Sequence, residues 1–500
     1  VTAGCAATNC VTGCMDAHQD SVPLIFISGQ VNANLLPYSA HARNAAGAWC
    51  NIKEIVKPIT LAACEIRHPE NAPRNISKTL DRIVYDPLNP TRLGPVWLSV
   101  CLDMQQTHID EYRVHESPLQ YRMLNLGRMD IPLGERPVFI VGNGCRRVRD
   151  LRANLERIGI PCVFTFLGID LLPCDHPLYA GRPGVVGDRC GNFVLANATT
   201  IIAIGTSLTG SITGYNRAWF ARDAKVFKLC IDDSDSTCPK TIRLNWDCET
   251  WLRQQSAWEG NTAWTDACRR WKKMWFRLKP DNAGANHVYS VIRTLFDTHP
   301  TAAFVHASGS TFNAAWHMAG SQRFVSSTQG DMGSELPMAI GCALAREEDG
   351  NDDNVVCLVG DGSFVFGMTA LETITRLQLR ILIVILNNKG LQSIVGSQTK
   401  AFGKTYGCEL GTEYSQPNLD KIIEAFRCRR YESETNWNLP AVQEADLLPA
   451  DRYPCLAVSY DADHRPSALP MEDMSPLLSL KLLQKEMFIP LLGVSVVACR

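Results

Sequence analysis

The segment from Val355 to Gly390, VVCLVGDGSFVFGMTALETITRLQLRILIVILNNKG, constrains the fold of this chain more than any other stretch. Its opening run, Val355-Val356-Cys357-Leu358-Val359, has the length and composition of a strand buried on both faces of a parallel sheet. Gly360-Asp361-Gly362-Ser363 interrupts it. Beyond that break Phe364, Met368, Leu371, Ile374 and Leu377 recur at spacings of three and four, which predicts a helix with one face on the sheet. Ile381 to Leu386 reads as a second buried strand, ending on Asn387-Asn388.

A strand, a helix and a parallel strand make a right-handed crossover, so the carboxyl ends of both strands lie at one sheet edge. Asp361 and Asn388 are therefore expected to be neighbours. A carboxylate, an amide oxygen and nearby loop carbonyls are hard donors suited to magnesium, which fills the rest of its shell with water and substrate phosphates. Gly360 and Gly362 let the backbone approach a phosphate, and the amides opening the helix would face it. The pattern predicts a site for a metal-bound diphosphate. Alone, Gly-Asp-Gly reads as a turn and Asn-Asn as a strand terminator; the specific signal is the pair at this spacing.

Gly360-Asp361-Gly362 followed by Asn387-Asn388 resembles the diphosphate signature of the thiamine-diphosphate enzymes. The resemblance implies thiamine diphosphate held with Mg2+, with Asp361, Asn388 and the carbonyl of Gly390 as metal ligands and Gly360, Gly362 and Ser363 at the diphosphate. It makes Ser308, Gly309 and Ser310 further donors. Gly330-Asp331-Met332-Gly333-Ser334-Glu335-Leu336-Pro337 is similar to the family's GxMGxxLP element. There Gly330 borders the cofactor and Met332 wedges beneath it, forcing the bend that brings its amino group to the reactive carbon. Without the resemblance Met332 reads as core filler.

The front of the chain resembles the acetolactate-synthase-like branch of that family. Gly4-Cys5-Ala6-Ala7-Thr8-Asn9 stands for a GPGATN-type turn, a helix with Val11 and Met15 follows, and Val22 to Ser28 is a strand closing in Gly29-Gln30. Glu54-Ile55-Val56-Lys57-Pro58-Ile59-Thr60 and the strand Gly94-Pro95-Val96-Trp97-Leu98 are similar to the same branch. Gln30 is the residue expected to contact substrate or intermediate; a structural strand-end glutamine is the alternative. Departures are visible too: the turn lacks its Pro and one Gly, Trp49-Cys50 lie near the place of a Gln-Glu pair, and Ala370 stands where relatives often carry Glu. Glu54 does not match the family's cofactor-activating glutamate, which precedes the glycine-rich turn, and the chain, opening on Val1, reads as truncated at its front.

A second apolar strand set, Pro137 to Asn143 and Ile201 to Ile204, flanks a helix around Leu151 to Ile158 and predicts another doubly wound sheet ending near Ile231-Asp232. Gly142-Asn143-Gly144 after its first strand is a weak nucleotide signal. Arg182-Pro183-Gly184 and Gly191-Asn192-Phe193 resemble the branch's middle domain, which in some members holds FAD and in others is empty; Thr206 replaces an Arg common there. FAD stays open. The expected fold class is α/β, three doubly wound parallel-sheet domains: a pyrimidine-binding domain over 1–106, a Rossmann-like central domain over 111–255, a diphosphate- and Mg-binding domain over 283–460, and a tail over 461–500. Trp264, Trp271 and Trp275 predict an amphipathic connecting helix.

Formal net charge is -2 and no polybasic block stands out, which argues against nucleic acid or an anionic membrane as partner. Twenty cysteines without a Cys-x-x-Cys pair read as free thiols of a reducing cytoplasm, and no eighteen-residue apolar run or signal-peptide pattern is present. The resemblance implies decarboxylation of a 2-oxo acid, pyruvate favoured, with carboligation to a carbonyl acceptor. It also implies a homodimer or tetramer, because one subunit's diphosphate domain faces another's pyrimidine domain. Gly407-Cys408-Glu409, Pro417-Asn418-Leu419 and the tail Glu472-Asp473-Met474-Ser475-Pro476 look closest to members linked with bacterial polysaccharide sugars. The alternative is a cofactor-binding but inactive homologue with a structural or regulatory role.

Overall fold

The computed structural model describes residues 1–37, 42–44, 46–83, 93–108, 129–185, 187–215, 220–231, 241–260, 262–276, 288–351, 353–431 and 455–461. The tail over 462–500, with Glu472-Asp473-Met474-Ser475-Pro476, and most of the stretch joining the first two sheets lie outside the described residues. The chain divides into two compact units, Val1–Met129 with Ile231–Asp233, and Asp130–Cys230 with Ser234–Arg500.

The first unit carries a sheet of β1 (Leu24–Gln30), β2 (Ala62–Ile66) and β3 (Pro95–Cys101), all parallel, in the order β1-β3-β2. The central strand supplies the anchor: Trp97 is fully buried, stacks on Phe26 at 4.8 Å, and donates from Nε1 to Ser28 Oγ at 2.9 Å. Ala7, Cys14, Ile52 and Val56 close over it from the flanking helices. An indole is tolerated at a sheet centre because its one polar atom has found a partner.

The second unit holds two further parallel sheets. One is β4 (Pro137–Val141), β5 (Cys162–Phe164), β6 (Thr200–Ile204), β7 (Lys225–Leu229) and β8 (Thr241–Leu244), ordered β5-β4-β6-β7-β8. The sheet therefore does not stop near Ile231-Asp232 as its apolar runs suggest. The short and half-buried β8, Thr-Ile-Arg-Leu, carries too weak a pattern to be read as a strand.

The other sheet is β9 (Ala303–Val305), β10 (Arg323–Val325), β11 (Val355–Gly360), β12 (Ile381–Asn387), β13 (Arg429–Tyr431) and β14 (Cys455–Asp461), ordered β10-β9-β11-β12-β14-β13. Strands β11 and β12 are central, buried on both faces by apolar clusters, which is why they read as unbroken apolar runs. With all strands parallel and helices interleaved, the fold is α/β as the sequence predicts.

The helix after β11 differs in one respect from its periodicity. It begins at Asp361 itself and breaks at Met368-Thr369, giving Asp361–Gly367 and Ala370–Arg376. The break accompanies a close approach: a Cβ at Gly367 would lie 2.7 Å from the carbonyl oxygen of Gly333. The tryptophan helix runs Thr262–Trp275 as expected, burying Trp264, whose Nε1 donates to the Pro137 carbonyl at 2.8 Å. Fully buried Arg182 ties the two sheets' elements together within this unit. It donates to Tyr179 Oη at 3.1 Å and to the carbonyls of Trp316 and Ala319.

Candidate metal and diphosphate site

Register decides the site. Gly360 pairs with Leu386, so Asp361 and the Asn387-Asn388 pair leave the sheet side by side at its carboxyl edge. Lys389 then adopts φ of 59°, a left-handed conformation that an L residue rarely takes, and the chain doubles back toward Asp361. Gly390 N–H donates to Asp361 Oδ2 at 3.2 Å. Gln416 Nε2 donates to the same oxygen at 2.9 Å and to Asn387 Oδ1 at 3.1 Å.

The other carboxylate oxygen, Oδ1, faces the amide end of Asn388 at 3.1 Å, and that same end lies 2.6 Å from the Gly390 carbonyl oxygen. With nitrogen inward Asn388 donates to both. With oxygen inward three oxygens converge and repel one another unless a cation stands among them. Asp361 is only 1% exposed, and this burial pushes its carboxyl up from 3.8 to about 6 against the pull of backbone N–H groups led by Gly362 and Gly390. Its donors are neutral, so the charge of the ionised carboxylate is left for a cation to balance. The donor set fits a hard divalent ion such as Mg2+. No cluster of three or more His, Cys, Asp or Glu offers a rival metal site among the described residues.

Beside these oxygens is a glycine-lined cradle. A Cβ at Gly362 would lie 2.6 Å from Leu391 Cδ2, 3.3 Å from Met332 Cε and 3.9 Å from Tyr414 Oη. Met332 is thus held against the backbone that follows Asp361, and it is 37% exposed, which is not the state of a core filler. Gly330 and Gly309 have φ of 66° and 68°, conformations that suit glycine. Gly309 opens the helix Gly309–Met318 and has only Ser393 Oγ, at 3.8 Å, near its missing Cβ. Gly360 caps the helix that begins at Asp361, with Gly362 and Ser363 in its first turn. First-turn amides have no partner within their own helix and can meet an anion; that of Gly362 already donates toward the Asp361 carboxylate.

Two expected hydroxyl donors are committed elsewhere. Ser308 donates from its N–H (3.1 Å) and Oγ (2.7 Å) to Glu335 Oε1, and Ser363 Oγ donates to Glu335 Oε2 at 2.6 Å while accepting from Gly333 N–H at 2.7 Å. Glu335, 1% exposed, is therefore the hub beneath the cradle. Ser310 occupies the second position of its helix, and its side chain lies outside the described residues. Sequence reasoning passed over Glu335, although a carboxylate inside the otherwise apolar Leu336-Ala339-Ala343 face is a visible signal. It also missed Gln416, which no local pattern marks.

In the first unit Gln30 is 2% exposed; its Nε2 donates to the Cys50 carbonyl at 2.8 Å and to Glu65 Oε2 at 3.2 Å, and its Oε1 accepts from Val31 N–H. In the second unit the glycine turns after β4 and β6 close on each other. A Cβ at Gly142 would meet the Gly205 carbonyl oxygen at 2.3 Å and Thr206 Cβ at 2.6 Å. The turn after β4 runs into a short 3-10 segment, Asn143–Arg147, and thus presents no α-helix N-terminus to a pyrophosphate.

An oxygen donor set and glycine cradle at the carboxyl edge of a parallel sheet suit a metal-bound diphosphate, and the chain belongs to the family of thiamine pyrophosphate enzymes. Residues 307–451 match its C-terminal TPP binding domain and residues 131–250 its central domain. Within the family the chain is acetolactate-synthase-like. It is 27% identical over 444 residues to the acetolactate synthase isozyme 2 large subunit of Escherichia coli (strain K12), covering 85% of this chain and 77% of the relative. It is 25% identical over 482 residues to the acetolactate synthase large subunit of Porphyra purpurea, covering 91% and 78%. With the probable acetolactate synthase large subunit of Methanocaldococcus jannaschii it shares 26% over 466 residues, covering 85% and 75%.

Proposed function

We propose that this chain decarboxylates a 2-oxo acid, pyruvate in the first instance, and joins the remaining fragment to a carbonyl acceptor, with thiamine diphosphate and Mg2+ as cofactors. The observation that carries this reading is the convergence of Asp361 Oδ1, the Asn388 amide and the Gly390 carbonyl beside the Gly362 cradle. Asp361, Asn388 and the Gly390 carbonyl would hold the cation, and the amides of Gly362 and Ser363 the diphosphate. Gly330 and Gly309 would border the cofactor, Ser308 and Ser363 would act through Glu335, and Met332 would support the bent cofactor from below. Thiamine diphosphate, when bound, supplies the nucleophilic carbon and the electron sink that loss of carbon dioxide requires. Gln30 would orient substrate in the first unit. The names of the relatives support a second 2-oxo acid as acceptor.

Working as a homodimer or tetramer in the cytoplasm belongs to the same proposal, as does the absence of a nucleic-acid or membrane partner. Among the described residues no helix is long and apolar enough to cross a membrane. The second reading, a cofactor-holding chain without turnover, draws on Gln30, whose amide is already spent on Cys50 and Glu65. One assay separates them: carbon dioxide release and acetolactate formation from pyruvate, with Mg2+ and thiamine diphosphate present. Release supports the lyase; cofactor binding without release from any small 2-oxo acid supports the second reading.

A further inference from the structure

We infer that Gln416 is a positioning residue of the metal site, turning the Asp361 carboxylate so that one oxygen alone is offered to the cation. This rests on the reading of Asp361 as a metal ligand. The segment that brings Gln416 there is bound to the metal-side loop: Gly390 bridges to Glu409, and Leu391 N–H donates to the Cys408 carbonyl at 2.7 Å. From it, both hydrogens of Gln416 Nε2 are used, one on Asp361 Oδ2 at 2.9 Å and one on Asn387 Oδ1 at 3.1 Å.

The consequence is an unequal carboxylate. Oδ2 accepts from Gln416 and from Gly390 N–H, whereas Oδ1 faces the Asn388 amide. Mg2+ demands near-ideal octahedral geometry and takes a carboxylate through one oxygen when the site leaves it one. Gln416 does this while also donating to Asn387, so one side-chain amide faces the ends of both β11 and β12, which the ladder from Val355 to Gly360 already joins. The pair Asn387-Asn388 thus divides its labour, the first residue facing Gln416 and the second facing Asp361 Oδ1.

The test uses the full chain with saturating thiamine diphosphate and Mn2+ as the probe, free Mn2+ being read by electron paramagnetic resonance. Gln416→Met keeps the bulk and removes both donors; its Mn2+ affinity is expected to fall about 10- to 100-fold, the usual effect of losing a residue that orients a ligand. The thermal midpoint measured in chelator should move little, whereas a purely structural residue would lower that midpoint and leave the affinity of the folded chain unchanged. Should Gln416→Met fail to fold, Gln416→Asn, too short to span both acceptors, carries the same expectation. Affinity within twofold of the unsubstituted chain overturns the inference. An unsubstituted chain that binds no Mn2+ overturns the metal reading of Asp361, and this role with it.

Discussion

Asp361 Oδ1 lies 3.1 Å from the amide end of Asn388, although two helices and a strand separate them along the chain. The two residues meet because each directly follows or ends one of two adjacent parallel strands. A carboxylate facing an amide that in turn faces a carbonyl is stable without metal only when the amide turns its nitrogen inward, and holds a metal only when it turns its oxygen.

Removing either side chain should therefore abolish tight metal binding. For Asp361→Asn and for Asn388→Ala, Mn2+ affinity in the presence of thiamine diphosphate is expected to fall about 100-fold or more. Both variants should bind the diphosphate cofactor less well in equilibrium dialysis, because under the proposed function the cation would help to hold it.

Glu335→Ala should lower stability by about 3 kcal/mol, because it leaves the Ser308 N–H, the Ser308 hydroxyl and the Ser363 hydroxyl without the carboxylate that receives them. Glu335→Gln keeps the shape and part of the bonding, so it should lose less. Denaturant midpoints of the two variants check the order.

Gly390→Ala puts a Cβ 2.7 Å from the Cys408 carbonyl oxygen, a backbone atom that cannot swing away. The cost is expected at about 2 kcal/mol of stability, with weakened metal binding as the Gly390 carbonyl moves. Gly159→Ala would not serve as its control, since Gly159 has φ of 79° and carries its own strain. Gly341→Ala is the better control: it lies within a helix and has nothing within 4 Å of the new carbon. There stability should hold or rise slightly.

His306 predicts an acid sensitivity. It is fully buried between Phe312 and Phe324, with neither ring nitrogen hydrogen-bonded among the described residues, and burial holds it down from 6.5 to about 3. Below its unfolded value the unfolded chain takes up a proton that the folded chain refuses, so stability is full above pH 6.5 and falls as pH drops toward 3. Between pH 7 and pH 5 this group's share of the loss is about 2 kcal/mol. His306→Phe should flatten the unfolding midpoint over that interval by the same amount.

Much of this was legible beforehand because buried parallel strands announce themselves. β4, β6, β11 and β12 are apolar runs that need no alternation, since both faces are covered, and the residues after each run fall at one sheet edge. β8 escaped notice because a half-buried edge strand of four residues has no such run. The hydroxyls of Ser308 and Ser363 look like phosphate donors in a list of residues, and only packing shows them turned to Glu335.

From its sequence alone this protein's fold class, its chain path through the Asp361 and Asn388 strand ends, and its kinship were determined, for these depend on local composition and on the handedness of a crossover. Which atoms face the prospective cation was decided only in three dimensions. Gln416, Glu335 and the left-handed Lys389 act by direction rather than by spacing, and a side chain's direction is settled by what packs around it.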